Sequence, residues 1–287
     1  MPHSIRLMFL SLEGLALGDA FGEQFFNRAN AKYFHAQALP PGQWKWSDDT
    51  HMALSIVEML KEEGTIDPDM LAKKFAFRYS QQPWRGYGWG AARLLRAVAE
   101  GGDWRKLAPA LFKGGSYGNG AAMRVAPLGA FFKDDFQRLI NEARKSAMVT
   151  HAHPEGQAGA IAVAVAAGLA GRKAKLTGSD FIAVVAEWTP ESVVRDKLIL
   201  ATRMEAEDFD NAVQTLGTGR RVSAQDTVPF CVWCVAHFGH HFETALWKCV
   251  AGRGDMDTTC AIVGGIAALR CGRLPQNWLE HREPLEI

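Results

Sequence analysis

The sequence predicts an all-α protein, a compact helical bundle forming a single domain over residues 1–287. Three observations lead there. Apolar residues recur at helical spacing along most of the chain, sustained strand alternation is hard to find, and helix start and stop residues fall at the borders of the apolar runs. No Pro/Ser-rich linker, charge block or fixed-period repeat divides the chain.

The elements follow in order. "MPHSIRLMFLSLEGLALGDAFG" has the look of a secretory signal, but Glu13 and Asp19 interrupt it and no small-residue cleavage site follows, so it reads as a first core helix. Met52, Ile56, Val57, Met59 and Leu60 form the apolar stripe of a helix opened by "SDDT". Glycine pairs at Gly101-Gly102 and Gly114-Gly115 break the chain between elements. Leu139, Ala143 and Ala147 mark another helix. Pro154 opens an Ala-rich one, whose apolar run from Ala158 to Ala170 is shorter than the roughly 18 residues that span a bilayer. Val193, Val194, Leu198 and Leu200 mark a further helix, Thr227 with Pro229 opens the next, and "GRGDMDTTC" leads into an apolar run through Leu269.

Composition narrows the function classes. Lys+Arg 32 against Asp+Glu 31 leaves a formal charge of +1, so no global field draws the chain to nucleic acid or an anionic membrane, and any site must be local. The five cysteines are odd in number and all follow residue 230, which argues for a reducing compartment, the cytoplasm, rather than a disulfide framework. "CVWC", with His237, His240, His241 and Cys249 nearby, has partial zinc or redox spacing; lacking a second C-x-x-C and set in an apolar helical pattern, it reads as core.

The chemistry concentrates in a few segments. In "WSDDTH", Asp48 and Asp49 stand at a helix entrance, where adjacent carboxylates either cap the helix or converge on one point. "GRGDMDTTC" repeats the arrangement with Asp255, Asp257 and Thr258. If the two entrances meet, four carboxylates with hydroxyls from Ser47, Thr50, Thr258 or Thr259 make an all-oxygen setting for one or two Mg²⁺, Mn²⁺ or Ca²⁺ ions. If they lie apart, each caps its own helix. Between them, "KGGSYGNGAAMRVAPLGAFF" places glycines around Ser116, Tyr117 and Asn119 before a helix, a pattern able to cradle a phosphate, with Tyr117 free to stack on a base or ribose. "THAHPEGQ" offers His151 or His153 as a pocket residue or a cap. "PWRGYGWG" reads as a cleft-lining loop, and Trp44 and Trp46 as walls beside the acidic motif.

Taken together, "GDAFG", "SDDT", "RGYGWG", "GSYGNGAAMR", the Thr150-His151 pair and "GDMDT" resemble, in order and over nearly the whole chain, the ADP-ribosylglycohydrolase family, which includes the dinitrogenase reductase-activating glycohydrolases and the ADP-ribosyl-acceptor hydrolases. The resemblance implies a compact all-α fold and two Mg²⁺ ions, Mn²⁺ being an alternative, held by Ser47, Asp48, Asp49, Asp255, Asp257 and Thr258. It implies that Gly115, Ser116, Tyr117, Gly118, Asn119 and Gly120 bind diphosphate and ribose, with His151 lining the same pocket. The "SYGNG" wording looks most like the branch acting on serine-linked ADP-ribose and poly(ADP-ribose). One departure stands out: where the family commonly carries a Glu eight positions after the Gly of "GD", this chain has Phe26, with Glu23 or Asn27 as substitutes from other directions.

The expected activity is metal-assisted attack of water on the anomeric carbon, with Asp48 or Asp49 positioning or deprotonating the water. The substrate is an ADP-ribosylated protein side chain such as serine or arginine, poly(ADP-ribose), or an ADP-ribose-containing small molecule. Two alternatives remain from sequence: an impaired ADP-ribose-binding relative, and a different Mg²⁺-dependent phosphohydrolase. The acceptor is expected to be chosen by the loops at Pro83 to Gly90 and Gly217 to Gln225.

Overall fold

Small residues let the first and last long helices touch through their backbones, and the rest of the bundle is arranged around that contact. The computed structural model describes residues 2–173 and 175–285. Among these are the helices α1 (His3–Glu23), α2 (Ala31–Ala36), α3 (Asp48–Glu63), α4 (Pro68–Gln81), α5 (Trp89–Ala99), α6 (Trp104–Ala110), α7 (Ala126–Phe131) and α8 (Phe136–Met148). They continue with α9 (Pro154–Gly171), α10 (Gly178–Trp188), α11 (Val193–Ala201), α12 (Phe209–Leu216), α13 (Ala224–Phe238), α14 (Phe242–Gly252), α15 (Met256–Cys271) and α16 (Gln276–Leu279). Among the described residues β structure is limited to two isolated bridges, Trp44 with Arg282 and Gly118 with Ser223. No described helix is long and apolar enough to cross a membrane.

α1 and α15 run antiparallel at van der Waals distance. A Cβ added to Gly18 would fall 2.0 Å from the Cys260 carbonyl oxygen, one on Gly22 2.2 Å from that of Met256, and one on Gly264 2.3 Å from that of Gly14. Four-residue spacing of Gly14, Gly18 and Gly22 puts all three on one helix face. The C-terminal end of α1 is thereby laid beside the N-terminal entrance of α15.

α9 is buried along nearly its whole length, as its Ala-rich sequence predicts. α7 approaches it closely, a Cβ on Gly129 falling 2.1 Å from the Ala164 carbonyl oxygen. The C-terminal segment returns to α3: Trp44 N–H donates to the His281 carbonyl at 2.7 Å and Glu283 N–H to that of Trp44 at 2.8 Å. Trp44 is therefore core rather than cleft wall, stacked on His281 at 4.7 Å and packed with Phe21 and Trp278. The "CVWC" cysteines are buried thiols within α13, and Cys249 and Cys260 are buried beside them, as the core reading expects.

One helix start differs from expectation. α13 begins at Ala224, so Pro229 sits inside the helix. The cause is tertiary: Ser223 bridges to Gly118, and Ala224 N–H donates to the Tyr117 carbonyl at 2.9 Å, which sets the helix going before the proline.

The α1–α15 contact leaves no room for a methyl group. Gly18→Ala is expected to lower stability in chemical denaturation by about 2–3 kcal/mol, because the helices must separate to seat it. A cost under about half a kcal/mol would mean the helices slide freely.

Candidate active site

The entrance of α3 is capped from outside the acidic pair. Ser47, the N-cap residue, accepts from Asp49 N–H at 3.3 Å. Asp19, fully buried on α1, accepts the N–H groups of Ser47 at 2.9 Å and Thr50 at 3.1 Å together with the Thr50 hydroxyl. With the orphan donors of the first turn satisfied by Ser47 and Asp19, neither Asp48 nor Asp49 is needed as the cap. Asp49 takes the Ser47 hydroxyl proton on Oδ2 at 3.0 Å, and its Oδ1 is buried with no hydrogen-bond partner.

The entrance of α15 is shaped by a strained turn. Arg253 and Gly254 both take positive φ, 61° and 90°, and a Cβ on Gly254 would meet the Thr218 carbonyl oxygen at 2.2 Å. That turn swings Asp255 back, its N–H donating to Thr218 O at 3.0 Å and its Oδ2 accepting from Asn119 Nδ2 at 2.7 Å. Asp257 Oδ1 accepts from Thr258 N–H at 2.8 Å.

The two entrances meet, lining one cavity of about 420 Å³ with Asp48, Asp49, Asp255, Asp257 and Thr258. Burial pushes the Asp48 carboxyl up to about 8, with the neighbouring Asp19 and Asp255 charges adding to it. Asp49 and Asp257 rise well above the ordinary carboxylate range, through burial first and then their acidic neighbours. Among the described residues, no three His, Cys, Asp or Glu side chains are closed up as a finished metal-holding set. The carboxylates' donor chemistry, all oxygen with one buried Oδ1 lacking a partner, fits a hard divalent cation.

The position of Phe26 is resolved. Phe26 lies on the 3₁₀ turn Gln24–Phe26 and is 47% exposed, and Asn27 caps the next turn by accepting from Ala29 N–H at 3.0 Å. Glu23 is the extra acid near the cluster: partial burial and the charges of Asp19 and Asp255 raise its carboxyl to about 7.

The glycine loop lines the same cavity. Gly114 and Gly115 take φ of 86° and 92°, and a Cβ on Gly115 would meet His153 N at 2.7 Å. Ser116, Tyr117, Gly118, Asn119 and Gly120 all line the cavity, whereas Gly115 supports the loop from behind. Tyr117 is 49% exposed at the mouth, with exposed Trp89 and Phe112 beside it. The loop at Gly217 to Gln225, expected to touch the acceptor, instead contributes Arg221 and Val222 to this same cavity.

His151 lines the cavity, whereas His153 caps α9 by accepting from Glu155 N–H at 3.1 Å. Sequence reading passed over what holds His151. Arg124, fully buried with Phe75 under its guanidinium at 4.4 Å, donates to the Thr150 hydroxyl at 2.9 Å and to the Ser146 carbonyl at 3.0 Å. The Thr150 hydroxyl lies 2.7 Å from His151 Nδ1. Since arginine only donates, the Thr150 oxygen is the acceptor toward Arg124, and the same hydroxyl fixes the Nδ1 edge of the His151 ring. The opposite edge of the ring faces the loop, Nε2 lying 3.2 and 3.1 Å from the positions that Cβ atoms on Gly118 and Gly120 would occupy. Burial and the Arg124 charge bring its pKa down to about 3, so the ring is neutral at physiological pH.

Asp19 and Arg124 are the residues whose roles the sequence reading missed. Both were visible as lone charges within apolar runs, which is the signal of a buried group with a fixed partner.

Comparison with known proteins agrees with this geometry. Residues 10–286 match the family model described as ADP-ribosylglycohydrolase. The protein named ADP-ribosylhydrolase ARH3 from Homo sapiens is 29% identical, the match covering 96% of this chain and 88% of that one. Its Danio rerio counterpart is also 29% identical, over 93% and 84%. A solved structure titled ADP-ribosylglycohydrolase-related protein complex superimposes with a TM-score of 0.69 at 25% identity, covering 99% of this chain and 94% of that one.

Two outcomes are expected. Nitrogen NMR should find His151 neutral and held in one tautomer by the Thr150 hydroxyl; Thr150→Val should lose that single tautomer while Thr150→Ser keeps it, and an unchanged ring in Thr150→Val would show that the hydroxyl does not hold it. The second concerns pH. A carboxyl raised in the fold keeps a proton that the unfolded chain has released, so stability falls as pH rises between the ordinary 3.8 and about 8. In EDTA, Tm should drop between about pH 5 and about pH 8, and excess divalent cation should remove most of that drop. A cation-free Tm that climbs across the same window would contradict the buried acidic cluster.

Proposed function

Because the chain belongs to the ADP-ribosylglycohydrolase family, a family of glycosidic-bond hydrolases, we propose that it releases ADP-ribose from a modified acceptor with the help of bound Mg²⁺. The observation that carries this reading is the meeting of the two acidic helix entrances in one cavity that the glycine loop also lines. That arrangement holds a nucleotide diphosphate and a glycosidic carbon at once.

Ser47, Asp48, Asp49, Asp255, Asp257 and Thr258 would hold the metal, two Mg²⁺ ions or Mn²⁺ in their place. Bound there, the ions would orient the ribose hydroxyls and lower the pKa of the attacking water. The chain's own groups do the rest. Backbone N–H groups of the Ser116 to Gly120 loop and the His151 ring bind the diphosphate and ribose, and exposed Arg221 at the mouth adds a positive charge. Tyr117 and Phe112 offer faces to the adenine. Asp48 and Asp49 hold the water and take its proton as its oxygen bonds to the anomeric carbon. The acceptor leaves with the bonding electron pair and a proton.

The position of Glu23 supports turnover over an impaired binder, since an acid stands near the cluster although Phe26 does not. The chain's cysteines are free thiols, which supports the cytoplasmic setting we propose.

The test is release of free ADP-ribose, followed by mass spectrometry, from serine-linked, arginine-linked and poly(ADP-ribose) substrates with Mg²⁺ and with EDTA. Release is expected in Mg²⁺ alone, and Asp49→Asn is expected to reduce kcat by at least about a hundredfold while the helical circular dichroism holds. Full activity of that variant, or release of phosphate in place of ADP-ribose, would overturn the assignment.

A further inference from the structure

A second cleft, of about 450 Å³, opens on the far side of the acidic floor. It shares Gly86 and Asp257 with the first cavity, and Ser47 lies in its wall. Gly86 is the bridge between them: a Cβ placed there would come 3.7 Å from Asp48 Oδ1 and 3.8 Å from the Ser47 Cβ. The loop expected to line a cleft thus lines two. Gly88 and Trp89 face the first, Trp84 and Arg85 the second.

A glycosidic substrate has two halves joined at the bond to be cut. If the nucleotide half lies against the glycine loop and the anomeric carbon over the carboxylates, the other half leaves past Gly86 into the second cleft. What that cleft accepts follows from its charges. Arg85 is its buried cation, and it has little left to offer. Nε donates to Gln82 Oε1 at 2.6 Å, Nη1 to the Trp46 carbonyl at 3.0 Å and Glu283 Oε2 at 2.7 Å, and Nη2 to Glu283 Oε1 at 3.0 Å. Its guanidinium lies 3.5 Å over the Trp46 ring, so that face is covered as well. The remaining charged groups in the wall are the carboxylates of Glu23 and Asp257, with Lys45 exposed at the rim. Trp84 holds its indole 73% exposed, and the Gln82 amide N–H₂ is free to meet a carbonyl.

We infer that this second cleft is the acceptor side of the site and takes a neutral or basic polypeptide segment, not the next diphosphate-bearing unit of poly(ADP-ribose). The inference rests on the hydrolase reading above. A diphosphate entering here finds the cleft's one arginine already paired with Glu283 and the Glu23 carboxylate facing it, Asp257 being given to the metal, a like-charge juxtaposition. A peptide finds an aromatic face, an amide donor and no excess positive charge that would favour an anion.

The test uses the full chain with Mg²⁺, peptides mono-ADP-ribosylated on serine or on arginine, poly(ADP-ribose), and free ADP-ribose as a ligand in calorimetry. The expected result is a kcat/KM at least about tenfold higher for a modified peptide than for poly(ADP-ribose). Trp84→Ala should raise the peptide KM about tenfold while the Kd of free ADP-ribose, which fills the first cavity alone, holds. Equal or faster cleavage of poly(ADP-ribose), or a peptide KM indifferent to Trp84→Ala, overturns the acceptor assignment and leaves the hydrolase reading standing. No ADP-ribose binding and no release from any substrate overturns the hydrolase reading first, and this inference with it.

Discussion

The backbone contact between α1 and α15 is the constraint on which the site depends. Gly14, Gly18 and Gly22 meet Gly264, Cys260 and Met256 with no side chain between them. Because the pair is antiparallel, the end of α1 that carries Asp19 and Glu23 lies beside the start of α15 that carries Asp255 and Asp257. Asp19 then reaches across to hold the start of α3, and Asp48 and Asp49 are delivered to the same place. A side chain at Gly18 would displace both entrances together. The arrangement concentrates negative charge where water is scarce, which is unfavourable without a counter-charge, and the apolar core running from Leu7 to Trp278 is what holds the helices against it.

What could be read from sequence was what local spacing determines. Met52 to Leu60, Ala158 to Ala170 and the run ending at Leu269 fall inside α3, α9 and α15, because each has a full apolar period and a marked start. The acidic motifs and the glycine loop were also legible as candidates, since helix entrances and positive-φ glycines carry their own residue signatures. What escaped was tertiary. That Asp19 caps a helix 28 positions away follows only from where α1 is laid, and α13 starts at Ala224, ahead of its proline, because the glycine loop anchors Ser223. Where the two loops lie was likewise tertiary: Pro83 to Gly90 contributes to both cavities, whereas Arg221 and Val222 line the first.

The arginines near the acidic floor are held in place, and this too has a physical cause. In a cavity floored by Asp48, Asp49, Asp255 and Asp257, a mobile arginine would be captured by carboxylates in place of a cation or a substrate. Each arginine near the floor is restrained. Arg124 is buried and bonded to Ser146 and Thr150 with Phe75 beneath it; Arg85 is bonded to Gln82, Trp46 and Glu283 with Trp46 beneath it. Under the proposed function, phosphate recognition would then fall mainly to dipoles that the carboxylates cannot draw away, the loop N–H groups and the neutral His151 ring, with Arg221 kept at the mouth.

The two restrained arginines differ in what their restraint produces. Arg124 is bonded inward to Thr150, and the result is a fixed His151 edge beside the glycine loop. Arg85 is paired with Glu283, and the result is a second cleft whose arginine is already engaged. The two clefts that share Gly86 and Asp257 therefore differ in their fixed groups, and under the proposed function that difference is what would tell the two ends of a substrate apart. That asymmetry needs no net charge on the protein. With Lys+Arg 32 against Asp+Glu 31, orientation of the substrate is left to these few fixed groups.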